Sequence, residues 1–557
     1  TYCGTSLAEL EVDHEERVDP FIYIKYGPFV IGTVRPETKF RDTALAVNPK
    51  DKRYKDYIGK SLEIMGLLGP ITMKVIPDPE VDPEFGTGIM KVTPAHDAHD
   101  FELGKLHNLP VTPIITLQGK MDFSWFINDP INKNSKYLER AIKYHGLKVA
   151  EARKIILEDL KSDGLLEKID EKYTHNVSLC YKCKRILEPT VIPNWYIKVD
   201  SLKKPVIAVV KKDEINFHPH RFKKHMLDWL SIMHDWPISR QNAWGIRIPV
   251  WYSTKENPDM SIAFINPQGK YTFGVISELL KTYSFGEIES GLQTLRTGQV
   301  AKYIVSKTKP SGDYFQETDT FDTWFSSGHW PIVTGGNLPT AMLGTLADIL
   351  RFWVSRMIMF SLYLKDKIPF KDVYLWSMVA DSKGTKMSKS KGNVVNPIEL
   401  VDRYGADALR MTLLYGIAPG GSISLSEDKV RGMRNFSNKL WNVARYVQGI
   451  EKSNPKINKD DKEILKKIKK VTKEVTSHLD KYQFGLATKK LYAFVRHEFA
   501  DIYIEKTKDR KADAYPTLSA VLDCSLRLLH PFMPFVTESI WQELGHKDLL
   551  ISASWPK

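Results

Sequence analysis

Lys386-Met-Ser-Lys-Ser-Lys-Gly-Asn393 is the stretch on which the fold turns. Three lysines in six residues, interleaved with serines and closed by Gly-Asn, make a cationic loop. Ahead of it lie an apolar helical pattern over residues 349–364 and a short strand pattern, Val373-Tyr-Leu-Trp376; a second helical pattern starts at Ala406. That succession predicts the last βα elements of a parallel sheet. A cationic loop between strand and helix sits where an α/β sheet binds a triphosphate. Its lysines can neutralise charge that grows on phosphate oxygens as pyrophosphate leaves, while hydroxyls and glycine amides donate hydrogen bonds.

Outward from that loop, 557 residues are too many for one core and predict several domains. The net charge of +13 is spread along the chain, which suits a polyanion such as RNA without requiring one. Four cysteines do not make a secreted disulfide framework. No apolar run approaches the ~20 residues of a membrane span, so no membrane partner is expected. No signal-peptide pattern is visible and the chain opens mid-pattern at Thr1, which reads as a cytoplasmic protein whose beginning lies elsewhere. Residues 1–16 read as one arm of a strand pair, and residues 18–173 as mixed strand and helix with a helical stretch over 136–163. Residues 175–344 read as irregular, and everything after Arg434 as helical.

The full string Lys-Met-Ser-Lys-Ser, followed by Gly405-Ala-Asp-Ala-Leu-Arg410, resembles the second signature of the class I aminoacyl-tRNA synthetases. The resemblance runs along nearly the whole chain. Trp236-Pro-Ile-Ser-Arg-Gln241 and Trp244-Gly-Ile-Arg-Ile-Pro249 resemble the segment lining the aminoacyl-adenylate site, and Asp322-Thr-Trp-Phe-Ser-Ser327 the amino-acid pocket strand. Asp348-Ile-Leu-Arg-Phe-Trp-Val-Ser-Arg-Met357 resembles the pocket helix. The resemblance implies catalytic roles for Lys386, Ser388, Lys389 and Ser390, and ATP or adenylate contacts from Asp348, Lys386, Met387 and Lys389. It also implies a hydrophobic wall of Trp324, Ile349 and Trp353 for a small branched side chain such as valine. The family's first signature, His-x-Gly-His, which holds phosphates at a helix N-terminus, is nowhere in the sequence. The expectation is therefore an incomplete Rossmann-like core over residues 174–432.

Two further strings, Gly32-Thr-Val-Arg-Pro-Glu-Thr38 and Phe85-Gly-Thr-Gly-Ile-Met-Lys-Val-Thr-Pro-Ala-His-Asp-Ala-His-Asp100, resemble the editing domain shared by the valyl, isoleucyl and leucyl members. They place an inserted mixed α/β editing domain at residues 17–173. The implied chemistry is hydrolysis of a mischarged aminoacyl ester, which needs a carboxylate for the ammonium group, donors for the carbonyl and a placed water. Thr33, Arg35 and Thr38 are the expected donors, Lys91 is expected to meet phosphate or the terminal ribose, and Asp100 is expected to hold the ammonium. Asp82, Phe85, Thr93 and Asp97 complete the expected pocket. The Lys-Val-Thr-Pro-Ala-His-Asp string and Arg434-Asn-Phe-Ser-Asn-Lys-Leu-Trp-Asn442 favour the valyl member over the isoleucyl one. A pocket built for valine discriminates against isosteric threonine only ~100-fold, so such an enzyme needs a second sieve. The implied partners are tRNA(Val), valine and ATP with Mg²⁺, for a monomer. An isoleucyl enzyme and an editing-only deacylase are the alternative readings.

Cys180-x-x-Cys183 is half of a zinc site. By resemblance Cys3 is a third ligand of a structural Zn²⁺ in a knuckle within residues 1–16, whose fourth ligand is expected just ahead of Thr1, with His175 as its substitute; Cys524 reads as core. Residues 433–557 resemble the family's all-α anticodon-binding bundle, in which the lysines between 462 and 473 read as a solvated face.

Overall fold

The computed structural model describes residues 7, 12–181, 183–297, 301–381, 384–385, 387, 392–451 and 456–557. The chain divides into two compact units, Thr1–Ile197 with Trp236–Asp322, and Lys198–Asp235 with Thr323–Lys557.

In the first unit, β1 (Val12–Tyr26) lies between β2 (Phe29–Thr33) and a long return strand near residue 180, all antiparallel. A bulge falls between Asp19 and Phe21, where Pro20 has no N–H for the ladder. Strands β3 (Ala44–Val47), β4 (Ser61–Gly66), β5 (Gly69–Pro77) and β6 (Ile89–Val92) form a second sheet in the order β4-β5-β3-β6. Strand β3 is central and its four residues, Ala-Leu-Ala-Val, are fully buried, as a strand covered on both faces requires. Helix α1 (Ala98–His107) follows β6 directly.

The single helical stretch expected over 136–163 is two helices, α2 (Leu138–Tyr144) and α3 (Val149–Ser162). Between them Gly146 takes φ +79°, a left-handed turn that no helix can carry through. The return strand β7 (Leu166–Cys180) pairs with β1 from Val12↔Cys180 to Ile24↔Leu166. Strands β1 and β7 thus run unbroken through positions 16–17 and 173–174.

The stretch expected to be irregular holds two small antiparallel sheets. Val250–Ser253 lies between Ile304–Val305 and Tyr314–Gln316, and Ser261–Ile265 between Tyr271–Val275 and Leu292–Arg296. Their core is Ile248, Tyr252, Ile262, Phe264 and Phe315. Strands of two to five residues are too short for a two-residue period to stand out.

The second unit carries a parallel sheet in which Phe370–Trp376 lies between Thr340–Leu346 and Asn216–His218. The helical pattern expected over 349–364 is a 3₁₀ turn (Ala347–Ile349), a π-helix (Leu350–Val354) and an α-helix (Ser355–Lys365). Beyond Ser426 the chain is helical: Glu427–Gln448, Lys459–Asp480, Phe484–Ala493, Lys511–Leu529 and Pro534–Glu543 share one apolar core that includes Phe436, Leu440, Phe499 and Leu522. Among the described residues no helix is long and apolar enough to cross a membrane.

Candidate functional site

The two motif strings of the first unit come together in space. Strand β2 ends at Thr33, and Arg35 caps a 3₁₀ turn, Pro36–Arg41, with proline at its first position, where its fixed φ suits a helical start. The second string supplies β6, a tight turn and the first residues of α1. Asp97 caps that helix, its Oδ1 accepting from the backbone N–H of His99 (2.9 Å) and Asp100 (3.2 Å).

A continuous chain of hydrogen bonds links seven of the expected residues. Thr33 Oγ1 accepts from the Arg35 N–H at 3.0 Å, and Thr38 Oγ1 donates to the Arg35 carbonyl at 3.1 Å. The Lys91 ammonium donates to Thr38 Oγ1 (2.8 Å) and Thr93 Oγ1 (2.6 Å). The Thr93 N–H donates to Asp100 Oδ2 at 2.7 Å, and Asp100 returns to its cap, Asp97. Thr38, Thr93 and Asp100 are buried, so this network is held against competition from water.

The donor inventory changes the role expected of Lys91 and narrows that of Arg35. Lys91 directs its third N–H at Asp42 Oδ1 (3.2 Å), so its three donors are committed inside the protein. It is placed to neutralise charge and orient hydroxyls, not to reach out to phosphate. Arg35 binds the His96 carbonyl (2.8 Å), Glu188 (2.7 Å) and Glu37 (3.4 Å), which leaves two of its five N–H groups for a ligand. Glu37 is fully buried and also takes a bidentate bond from Arg153.

Electrostatics single out Asp100. Burial pushes its pKa up to about 6, against the opposing pull of Lys91 and the Thr93 amide. His96 is neutral: its Nδ1 donates to the Pro189 carbonyl, its Nε2 accepts from the Ile114 N–H, and burial pushes its pKa down to about 4. Hydrogen bonding to Asp78 holds His99 above the usual imidazole range.

Asp82 and Phe85 stand outside this chain of bonds, on the exposed loop before β6. Gly88 closes that loop at φ +73°, where a Cβ would sit 2.3 Å from Arg53 Nη2 and 2.8 Å from the Pro83 carbonyl. Phe85 is 52% exposed and packs edge-on against Phe21, whose ring lies so close to Gly32 that a Cβ there would be 2.3 Å away. Phe21 thus borders both motif strings. Sequence reasoning missed it, along with Asp42, Tyr26 and Glu188.

In the second unit, Trp324 lies on the helix Thr323–Gly328, where its ring meets Phe352 at 6.0 Å, and Trp353 Nε1 donates to the Ser327 carbonyl at 3.0 Å. Ile349 sits one turn before Trp353 and all three are half-buried, while Asp348 is exposed. Lys386, Ser388, Lys389 and Ser390 lie outside the described residues. Met387 packs on the apolar core of the helical region. Asp381, which sequence reasoning also missed, joins the two ends of that loop: it accepts from the Thr385 N–H (2.8 Å) and from Asn393 Nδ2 (2.9 Å).

Cys180 and Cys183 flank the turn after β7, closed by the Lys184 N–H on the Cys180 carbonyl at 2.8 Å. Two thiols on such a turn fit half of a zinc site; Cys3 lies outside the described residues. His175 does not fit as a further ligand. It is five residues back along an extended strand, about 16 Å from Cys180, and it is bonded to Asp19 at 3.0 Å. Among the described residues no group of three or more His, Cys, Asp or Glu is placed to hold a metal.

Residues 1–426 match the family described as tRNA synthetases class I (I, L, M and V), and residues 461–557 match the anticodon-binding domain of tRNA ligase. The valine–tRNA ligases of Clostridium tetani and Clostridium acetobutylicum are each 40% identical to the chain, over 592 and 595 aligned positions covering 100% of it. The chain spans 60% of the length of those two relatives. A solved ternary complex of Agrobacterium radiobacter K84 agnB2 LeuRS with tRNA and LeuAMS aligns at 18% identity and a TM-score of 0.44, covering 98% of this chain and 63% of that one. The chain belongs to the class I tRNA synthetases of the isoleucine, leucine, methionine and valine group.

Proposed function

We propose that this chain is part of a valine–tRNA ligase and that its first unit is the hydrolytic sieve that removes threonine from tRNA(Val). The observation that carries the hydrolytic reading is the bonded network from Thr33 to Asp97, with one carboxylate, Asp100, buried and held on a single oxygen. The free oxygen of Asp100 receives the substrate ammonium, and the two uncommitted N–H groups of Arg35 face the ester carbonyl. Water adds to the carbonyl carbon, the bond to the ribose oxygen breaks, and threonine and tRNA with a free terminal hydroxyl leave. Threonine is accepted because its hydroxyl pairs with polar groups that valine would leave unpaired.

In the synthetic reaction Trp324, Ile349 and Trp353 hold the valine side chain, and the loop 386–393 with Asp348 meets ATP·Mg²⁺. Incubation of threonyl-tRNA(Val) and valyl-tRNA(Val) with the 557-residue chain tests the hydrolytic reading. Threonine release at least ~100-fold faster than valine release is expected; equal rates, or none, overturn it.

Cys3, Cys180 and Cys183 would supply three of the four ligands that a structural Zn²⁺ takes. Elemental analysis is expected to give close to one zinc per chain, falling on Cys180→Ser. A ratio near zero in the unsubstituted chain removes zinc from the account.

A further inference from the structure

We infer that Asp42, a carboxylate outside both motif strings, is the positioning residue of the hydrolytic site, fixing Thr93 and Lys91 and through them Asp100. The inference rests on the hydrolytic reading above and names a residue that reading does not use. The Asp42 side chain is fully buried. Its Oδ1 accepts from Thr93 Oγ1 at 2.6 Å and from the Lys91 ammonium at 3.2 Å, and its Oδ2 accepts from the Tyr26 hydroxyl at 2.6 Å. Each oxygen is thereby oriented, and the carboxylate plane is set by three side chains from the ends of two strands, β1 and β6.

Two consequences follow for the residues that meet substrate. Thr93 is pinned at both ends, its hydroxyl by Asp42 and its backbone N–H by Asp100 Oδ2. The end of β6 cannot turn without breaking both bonds, so the rotamer that presents the other Asp100 oxygen to substrate is inherited from Asp42. Lys91 is a nearly buried cation, its side chain 11% exposed, that interacts with two carboxylates, Asp42 and Asp100. Contact with Asp42 holds it on the inner side of the site. Without the Asp42 charge the ammonium is drawn to Asp100, where it competes with the substrate's own ammonium for the same oxygen. Burying that lysine without its partner would also be costly.

A positioning role of this kind lowers turnover more than affinity, because the tRNA body supplies most of the binding and is untouched. Asp42→Asn keeps the side-chain shape and removes the charge. It is expected to lower kcat for threonyl-tRNA(Val) hydrolysis about 30-fold with KM within about twofold. Thr93→Val is expected to show a comparable loss, and the double variant a loss no greater than the larger single one, since the charge of Asp42 acts on Asp100 through the same Thr93 contact that Thr93→Val removes. Simple loosening of the fold would instead give additive losses and move KM. Should Asp42→Asn fail to fold, Tyr26→Phe removes the bond to Oδ2 alone; a fall in kcat of roughly threefold to tenfold is then expected, and unchanged kcat overturns the inference. Inactivity of the unsubstituted chain would sink both readings. Full activity of the unsubstituted chain with Asp42→Asn equally active, or strict additivity with Thr93→Val, would sink the role of Asp42 alone.

Discussion

Asp100→Ala is expected to lower kcat/KM for the proposed hydrolysis of threonyl-tRNA(Val) by roughly 100- to 1,000-fold, with the fold intact by circular dichroism. The size follows from what the residue does. A charge-assisted contact between a buried carboxylate and an ammonium contributes about 3–4 kcal/mol when one partner is removed, and each 1.36 kcal/mol is a factor of ten. Asp100 is 6% exposed and one of its oxygens is already held by the Thr93 amide, so the effect falls on the remaining oxygen. The pH dependence carries a sign that can be checked separately. Burial raises the Asp100 pKa to about 6, and the proposed ammonium contact needs the ionised form, so hydrolysis is expected to rise with pH through about 6 and then level. Its effect on stability runs the other way. A carboxyl whose folded pKa is raised contributes stability that is fully present below the unfolded value near 4 and is lost as pH rises through 6. The pH range in which the proposed contact forms is therefore the one in which Asp100 no longer adds to the stability of the fold. A flat rate between pH 5 and 7, or an Asp100→Ala loss under tenfold, would remove Asp100 from the ammonium site.

How much of this was legible in the sequence depends on how far apart the interacting residues lie. Thr33, Arg35, Thr38, Lys91, Thr93, Asp97 and Asp100 fall within two short strings, and the structure bonds them into one network. Asp42 and Tyr26 lie close by in sequence, yet nothing in Phe40-Arg-Asp-Thr43 marks Asp42 as more than an exposed turn acid. Its burial depends on β6, 49 residues away, bringing Lys91 beside it. Glu188 reaches Arg35 across 153 residues, a pairing no local pattern can show. Lys91 teaches the opposite lesson. Its presence near the site was legible, but its role was not, because counting its committed N–H groups requires coordinates. Among the helices, sequence period found the elements and misjudged their continuity. The π-helices at Leu350–Val354 and Phe494–Tyr503 each add about one residue per turn, so an apolar pattern that slips by one still reads as three-to-four spacing. Ile349 and Trp353, proposed above for the valine pocket, sit across that slip.

Asp461→Ala removes about 3–5 kcal/mol of stability from the helical region, of order 10 °C in melting temperature. The carboxylate is fully buried at the start of the helix Lys459–Asp480. It closes a capping box with Asn458, accepting from that residue's N–H at 2.8 Å while its own N–H donates to Asn458 Oδ1 at 3.0 Å. Arg510 reaches it with two N–H groups at 2.6 and 2.9 Å, and the Tyr503 hydroxyl donates to the same oxygen as the shorter of these. One side chain thus joins the first turn of one helix, the end of the π-helix and the 3₁₀ turn Lys508–Arg510. Burial alone would raise its pKa, but the bonds from Arg510, Asn458 and Tyr503 outweigh burial and hold it below the usual carboxylate range. A depressed pKa contributes stability that is present above the unfolded value near 4 and is lost as pH falls through the folded value. Removal of Asp461 orphans the Arg510 guanidinium and the Tyr503 hydroxyl together, which is why the loss exceeds that of an exposed ion pair. Asp461→Leu combined with Arg510→Met, which removes both charges, should cost clearly less than the sum of the two single changes. Urea unfolding followed by circular dichroism, dominated by the helices, reads these values. A loss under about 1 kcal/mol for Asp461→Ala would mean that the junction of the three segments is held by the apolar core around Phe499 and Leu522, and not by this carboxylate.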